Sequence, residues 1–125
     1  MISTLAIIIW HDMGGGIEDR LRQMHLIGAQ HVEIRGECVS ACTMFLGLPD
    51  VCVWPAAQLG FHGPRTALPG IPLPRREWER VTAEMAAEYP PAIREWFMVE
   101  ARYHVTDYLV ISGAQAIQMG ARACE

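Results

Sequence analysis

The chain has 125 residues, of which 51% are apolar and 19% charged, and its net charge at neutral pH is −4. That is one domain's length, enough to bury about two thirds of the unfolded surface. The acidic balance and the scattered arginines exclude a nucleic-acid-binding footprint, and no apolar run reaches membrane-spanning length.

The N-terminal run from Ile2 to Trp10 lacks a basic lead and a small-residue cleavage site, so it reads as a strand and not as a signal peptide. Within it, Leu5 to Trp10 is continuous and rich in β-branched residues, the pattern of a central strand covered on both faces. His11-Asp12-Met13-Gly14-Gly15-Gly16 follows, a glycine run that frees the backbone to approach a ligand. Ile17, Leu21, Met24 and Ile27 then fall on one helical face, with Glu18 and Asp19 near the N-terminus and Gly28 as the stop. His31 to Arg35 is a second strand and Ser40 to Leu48 a short buried helix. Val51 to Trp54 and Gln58 to His62 are two more strands. Strands alternating with helices predict βαβ units and a mostly parallel sheet.

Gly63 to Pro74 holds four prolines and reads as a surface loop, either a groove wall or a plain connector. Arg76 to Tyr89 is a helix, ended by Pro90-Pro91, and Pro91 opens the next one. Tyr108 to Ile111 is a last strand. Ser112-Gly113-Ala114-Gln115 is a capping-box pattern for a final helix that stops at Gly120. The helices' tryptophan- and methionine-rich stripes suit a core or a subunit interface.

Three turns stand out. Ser40 lies where a strand passes into an apolar helix, His62 follows 22 residues later at a strand end, and the glycine run precedes both. Parallel strands bring such turns to one sheet edge. There Ser40 has the place of a nucleophile and His62 that of its base. The N–H groups of Ala41 and of the run at Gly14 and Gly15 have the place of an oxyanion hole. Asp107 is the chosen orienting acid, with Asp50 and Asp12 as alternatives. A cap role for Ser40 and a structural role for His62 are the competing readings. The run lacks the following Gly-Lys-Ser/Thr of a phosphate loop.

Four cysteines without an export signal favour free thiols, a reducing compartment and a cytoplasmic protein. Cys38 and Cys42 flank Ser40 at a spacing that is poor for zinc, so no metal is expected. A Cys38–Cys42 disulfide is the secondary reading, and Cys52 and Cys124 show no partner spacing.

Met13 to Ile17, Gly36 to Thr43 and the segment from Val51 through Pro64 together resemble the ClpP/crotonase superfamily, in particular the Clp protease proteolytic subunit. They match that family's glycine turn, nucleophile turn and catalytic-histidine segment. Asp107 to Leu109 and Ala114 to Gly120 are similar to its later aspartate segment and helix. The resemblance implies repeated β-β-α units around a mostly parallel sheet flanked by helices. It implies a serine peptidase acting through Ser40, His62 and Asp107 without a cofactor, on a peptide or protein substrate, as a homo-oligomer. The family's proline before the glycines is replaced by Met13, and its N-terminal docking region has no counterpart, which makes an ATPase partner doubtful. A catalytically degenerate binding subunit and an acyl-CoA enzyme of the crotonase type are the alternatives. The Ser40/His62 pair argues against the second.

Overall fold

A computed structural model of the chain describes residues 5–68 and 71–125. Ile2, Ser3 and Thr4 of the N-terminal run and Pro69 and Gly70 of the proline-rich loop lie outside the described residues.

Five strands form one sheet: β1 (Ile7–Asp12), β2 (Val32–Val39), β3 (Val51–Val53), β4 (Gln58–Phe61) and β5 (Leu109–Ser112). β2 is its axis. β1 pairs along one side in parallel. On the other side, β3 takes the first half of β2 and β4 the second half, both also parallel. β5 closes the sheet antiparallel to β4. The helices are α1 (Ile17–Ile27), α2 (Arg75–Ala86), α3 (Pro91–Val99) and α4 (Gly113–Gln118). The segment after β2, Ser40–Gly47, winds as a 3-10 helix. The result is a mixed α/β fold with an open, mostly parallel sheet.

The strand period sets the layers. Val32 and Ile34 of β2 and Val53 of β3 are fully buried, as are Met44 and Phe45 of the 3-10 helix and Ile93 and Phe97 of α3. Phe61, Tyr89, Phe97 and Trp96 pack edge to face with ring centroids 5.1–5.3 Å apart. On the alternate face, Arg35 stacks over both Trp10 and Trp54, and Glu33 accepts from Arg35 and from the Trp54 indole. Ser112 and Gln115 complete the capping box of α4 in both directions.

Two sequence expectations are corrected. The first strand is not central: β1 lies at the sheet edge and Trp10 is 63% exposed. Its apolar continuity reflects one buried face plus the tryptophan–arginine stack, a combination that periodicity alone does not separate from double burial. Nor are the cysteines free. Cys38 is bonded to Cys42 and Cys52 to Cys124, with Cα separations of 5.2 and 4.8 Å. Cys52 meets Cys124 because the C-terminal tail runs alongside β3. Val53 N–H donates to Arg122 C=O at 2.8 Å, and Cys124 N–H donates to Val53 C=O at 3.0 Å.

The same tail is tied by charge. Arg122 donates to the Asp50 carboxylate at 2.6 Å, and the His31 ring lies between Asp50 and Glu33 at 3.1 and 3.0 Å. Hydrogen bonding to Asp50, then to Glu33, raises the His31 pKa above its ordinary 6.5. This stabilisation is therefore fully present below pH 6.5 and is lost as pH rises through the higher folded-state value. Urea unfolding of His31→Gln against the parent should show the larger deficit well below pH 6.5 and a shrinking one above it. Removing the Cys52–Cys124 bond in a C52A/C124A variant should cost about 2–5 kcal/mol, read as a lowered Tm, because that bond closes most of the chain into a loop.

Candidate active site

Three turns meet at one end of the sheet, as the parallel pairing requires. The register sets Asp12 of β1 beside Cys38 of β2, and Cys38 beside Leu59 of β4. The chain leaves β1 into the glycine run, β2 into Ser40 and β4 into His62. Met13, Gly15, Gly16, Ser40 and His62 all line one cavity of about 710 Å³. Its far walls are Ile17 of α1, Val81 and Met85 of α2, and the loop residues Pro64, Thr66 and Leu73. The proline-rich loop is thus a wall of the cavity as well as a connector.

Ser40 has a φ of 60°, and among the described residues no other side-chain-bearing residue has a positive φ. A serine held left-handed costs about 1–3 kcal/mol, so the surroundings must fix it. Part of the fixing is a buried hydroxyl relay. Thr43 Oγ1 donates to the Ser40 carbonyl at 2.6 Å and lies 2.7 Å from Tyr89 Oη. With its own proton committed, the threonine accepts from the tyrosine. Tyr89 is wholly buried, and desolvation pushes its pKa well above the ordinary 10. It therefore stays a donor at every pH of interest.

The glycine turn is anchored from the other side. Arg20 is only 7% exposed and grips Asp12 with two donors at 2.8 Å each, while its guanidinium covers the Phe45 ring at 4.6 Å. One arginine thereby joins β1, α1 and the 3-10 helix. Asp12 in turn accepts from Gly14 N–H at 2.9 Å. Gly14 has a φ of 99°, and a Cβ placed on it would stand 2.7 Å from Ser40 Cβ.

The predicted oxyanion donors therefore separate. Gly14 N–H is already spent on Asp12, and the role of that residue is to admit Ser40. Among the described residues, no hydrogen bond engages Gly15 N–H, and Gly15 faces the cavity. Ala41 N–H belongs to the first turn of the 3-10 helix, where no intrahelical acceptor exists.

His62 is half-buried. Its Nδ1 lies 2.6 Å from Gly63 C=O, and a carbonyl only accepts, so Nδ1 carries the proton and Nε2 offers a lone pair. Burial is the largest influence on the ring and lowers its pKa below 6.5. The Gly63 carbonyl opposes that shift, and Arg65 adds to it. No hydrogen bond joins His62 to Ser40 among the described residues.

The predicted orienting acid is elsewhere. Asp107 pairs with His104 Nδ1 at 3.0 Å and reaches His62 only as a weak raising charge. The two alternatives are committed as well, Asp12 to Arg20 and Asp50 to His31 and Arg122. The Gly63 carbonyl occupies the ring nitrogen that an acid would take.

Sequence reasoning missed Arg20, Thr43, Tyr89 and the Gly63 carbonyl. Arg20 was detectable, because it lies three residues from Ile17 on the apolar face of α1, and a cation there demands a buried carboxylate. Thr43 was legible only as part of a buried helix, and its partner is 46 residues away. The chain also contains no lysine, since Arg accounts for all ten of its cationic side chains. Arginine does not deprotonate in proteins, so the titratable side chains that line this cavity are His62 and the carboxylates of Glu18, Asp19, Glu77 and Glu84.

The described fold matches a solved structure, the membrane-bound stomatin-specific protease 1510-N, a Lys→Ala mutant in complex with a substrate peptide. That protease has a ClpP-like fold, and the likeness extends to the mixed α/β architecture with an open sheet described above. The TM-score is 0.69 with 20% identity, and the match covers 92% of this chain and 57% of that one. The chain thus spans somewhat over half the length of that protease. No protein-family model matches the sequence, and no curated protein does.

The contrast between two adjacent glycines tests this geometry. Gly14→Ala should both strain the backbone and push Ser40 aside. Gly15 has a φ of 146°, and nothing lies within 4 Å of where an added methyl group would stand. Gly15→Ala should therefore cost only the backbone strain of that φ, about 1–3 kcal/mol, with no steric clash added. Chemical denaturation should rank Gly14→Ala as clearly the more damaging.

Proposed function

We propose that the chain is a serine peptidase in which Ser40 attacks the scissile carbonyl and His62 Nε2 takes its proton. The observation that carries this reading is that a left-handed serine, a half-buried histidine and a glycine with an unengaged N–H all line one cavity. In this reading the N–H groups of Gly15 and Ala41 hold the developing oxyanion. His62 then returns the proton to the leaving amine, and water cleaves the acyl-enzyme in the second half. Gly63 C=O fixes the ring's tautomer in place of a carboxylate, and Asp107 contributes only a remote charge. No cofactor is needed. The substrate is a peptide, as the likeness to a peptide-bound protease supports.

A homo-oligomer belongs to the same reading, supported by the exposed Val99, Tyr103 and Val110, and sedimentation measures it. The cytoplasmic expectation rested partly on free thiols. Two disulfides instead support an oxidising compartment. No helix among the described residues is long and apolar enough to cross a membrane. The missing Ser40–His62 hydrogen bond favours a second reading, a catalytically degenerate binding subunit, although such bonds often tighten only with substrate present.

A fluorophosphonate probe separates the two. Labelling at Ser40 that His62→Ala reduces by on the order of 10⁴-fold supports the peptidase, and an unlabelled folded protein supports the degenerate subunit. Asp107→Asn should cost less than about tenfold, because its carboxylate does not touch His62. Burial keeps His62 neutral, so the acid limb of kcat/KM should fall below pH 6.5.

A further inference from the structure

The Cys38–Cys42 disulfide closes a five-residue ring with Ser40 at its centre. Cys38 is the penultimate residue of β2 and Cys42 the third of the 3-10 helix. Both are fully buried. Cys38 is also the register point between the strand ends that lead to the other two turns, with Asp12 on one side and Leu59 on the other. The bond therefore fastens the start of the nucleophile helix to the position in the sheet from which all three turns are set. The residue it spans is the strained one, at a φ of 60°. Of the contacts on this turn, the Thr43–Tyr89 relay holds the Ser40 carbonyl and Gly14 packs against its Cβ. Only the disulfide ties the chain before Ser40 covalently to the chain after it.

We infer that the Cys38–Cys42 disulfide is a positioning device for Ser40, so that the site is armed when the pair is oxidised and disarmed when it is reduced. This rests on the peptidase reading above. Reduction by a dithiol breaks the S–S bond. Two electrons and two protons pass from the dithiol to the pair, giving two thiols and a cyclic disulfide of the reductant. The five-residue ring opens, and the Ser40 backbone is free to leave the left-handed region. Ser40 Oγ then loses its fixed relation to His62 and to the Gly15 and Ala41 N–H groups. The cavity walls at Val81, Met85 and Leu73, on other elements, are untouched. The effect therefore falls on the chemical step and not on binding.

The test compares the full chain with a C38A/C42A variant and a C52A/C124A variant, using the rate of fluorophosphonate labelling at Ser40 and kcat and KM on a peptide substrate. C38A/C42A should keep its near-ultraviolet circular dichroism and label slower by about 10²-fold, the order that a displacement of about 1 Å costs. Its KM should stay within about twofold of the parent. C52A/C124A should label at the parent rate. If C38A/C42A does not fold, the parent protein is treated stepwise with dithiothreitol, alkylated with iodoacetamide and mapped by mass spectrometry. Labelling should then fall in step with opening of the Cys38–Cys42 pair and recover on reoxidation. Parent-rate labelling with that pair open overturns the inference and leaves the peptidase reading standing, as does an equal loss in C52A/C124A. A folded, oxidised parent that never labels overturns both.

Discussion

A serine held in the left-handed region is the constraint on which the rest of this structure turns. The conformation is unfavourable for any residue with a Cβ, so it persists only if its neighbours leave no alternative. Here they act from three directions. Gly14 presents a backbone without a side chain against Ser40 Cβ. A threonine–tyrosine pair holds the carbonyl from inside the core. A disulfide spans the turn itself. Together they offset the cost of the positive φ at Ser40. Their concentration around one hydroxyl sets this corner apart from the rest of the molecule.

The long strand β2 makes this concentration possible. Among the described residues it is the only strand that touches three others, and β3 and β4 share one of its edges in succession. Parallel pairing then delivers the ends of β1, β2 and β4 to a common rim without any side chain having to reach far. The Asp12–Arg20 pair shows the same economy. Its guanidinium satisfies a carboxylate, covers an aromatic ring and fixes the glycine turn together. Burying that ion pair is tolerable because both oxygens of the acid are occupied and the ring covers the cation. The histidine follows a different rule. A backbone carbonyl sets its tautomer, so no second ionised group has to be buried beside it.

Much of this was legible in the sequence because it is local. The α1 stripe, the Ser112 cap, the break at Pro90-Pro91 and the strand–turn–helix setting of Ser40 are all encoded within a few residues of where they act. The glycine run, Ser40 and His62 reach one cavity through topology, which the alternation of strands and helices announces. What stayed hidden is pairwise and distant. Thr43 with Tyr89, and Cys52 with Cys124, are matched by the folded chain and by no spacing rule. The edge position of β1 stayed hidden for another reason. Trp10 reads as apolar, yet it is spent on stacking against Arg35 at the surface. Asp107 was the natural acid by order in the chain, but its carboxylate turns to His104 three residues back. Gly63, whose carbonyl does the orienting, carries no side-chain signal at all.

The Cys52–Cys124 bond has a consequence for handling the protein. The proline-rich stretch between β4 and α2, where Arg65, Leu68 and Ile71 are exposed, lies inside the covalent loop that this bond closes. A single peptide-bond cut there releases nothing, because the two pieces stay joined through sulfur. On a gel run without reductant such a nicked molecule migrates as one species of unchanged mass. Only after the thiols are regenerated do two fragments separate, so a sample that looks homogeneous under oxidising conditions can already be in halves.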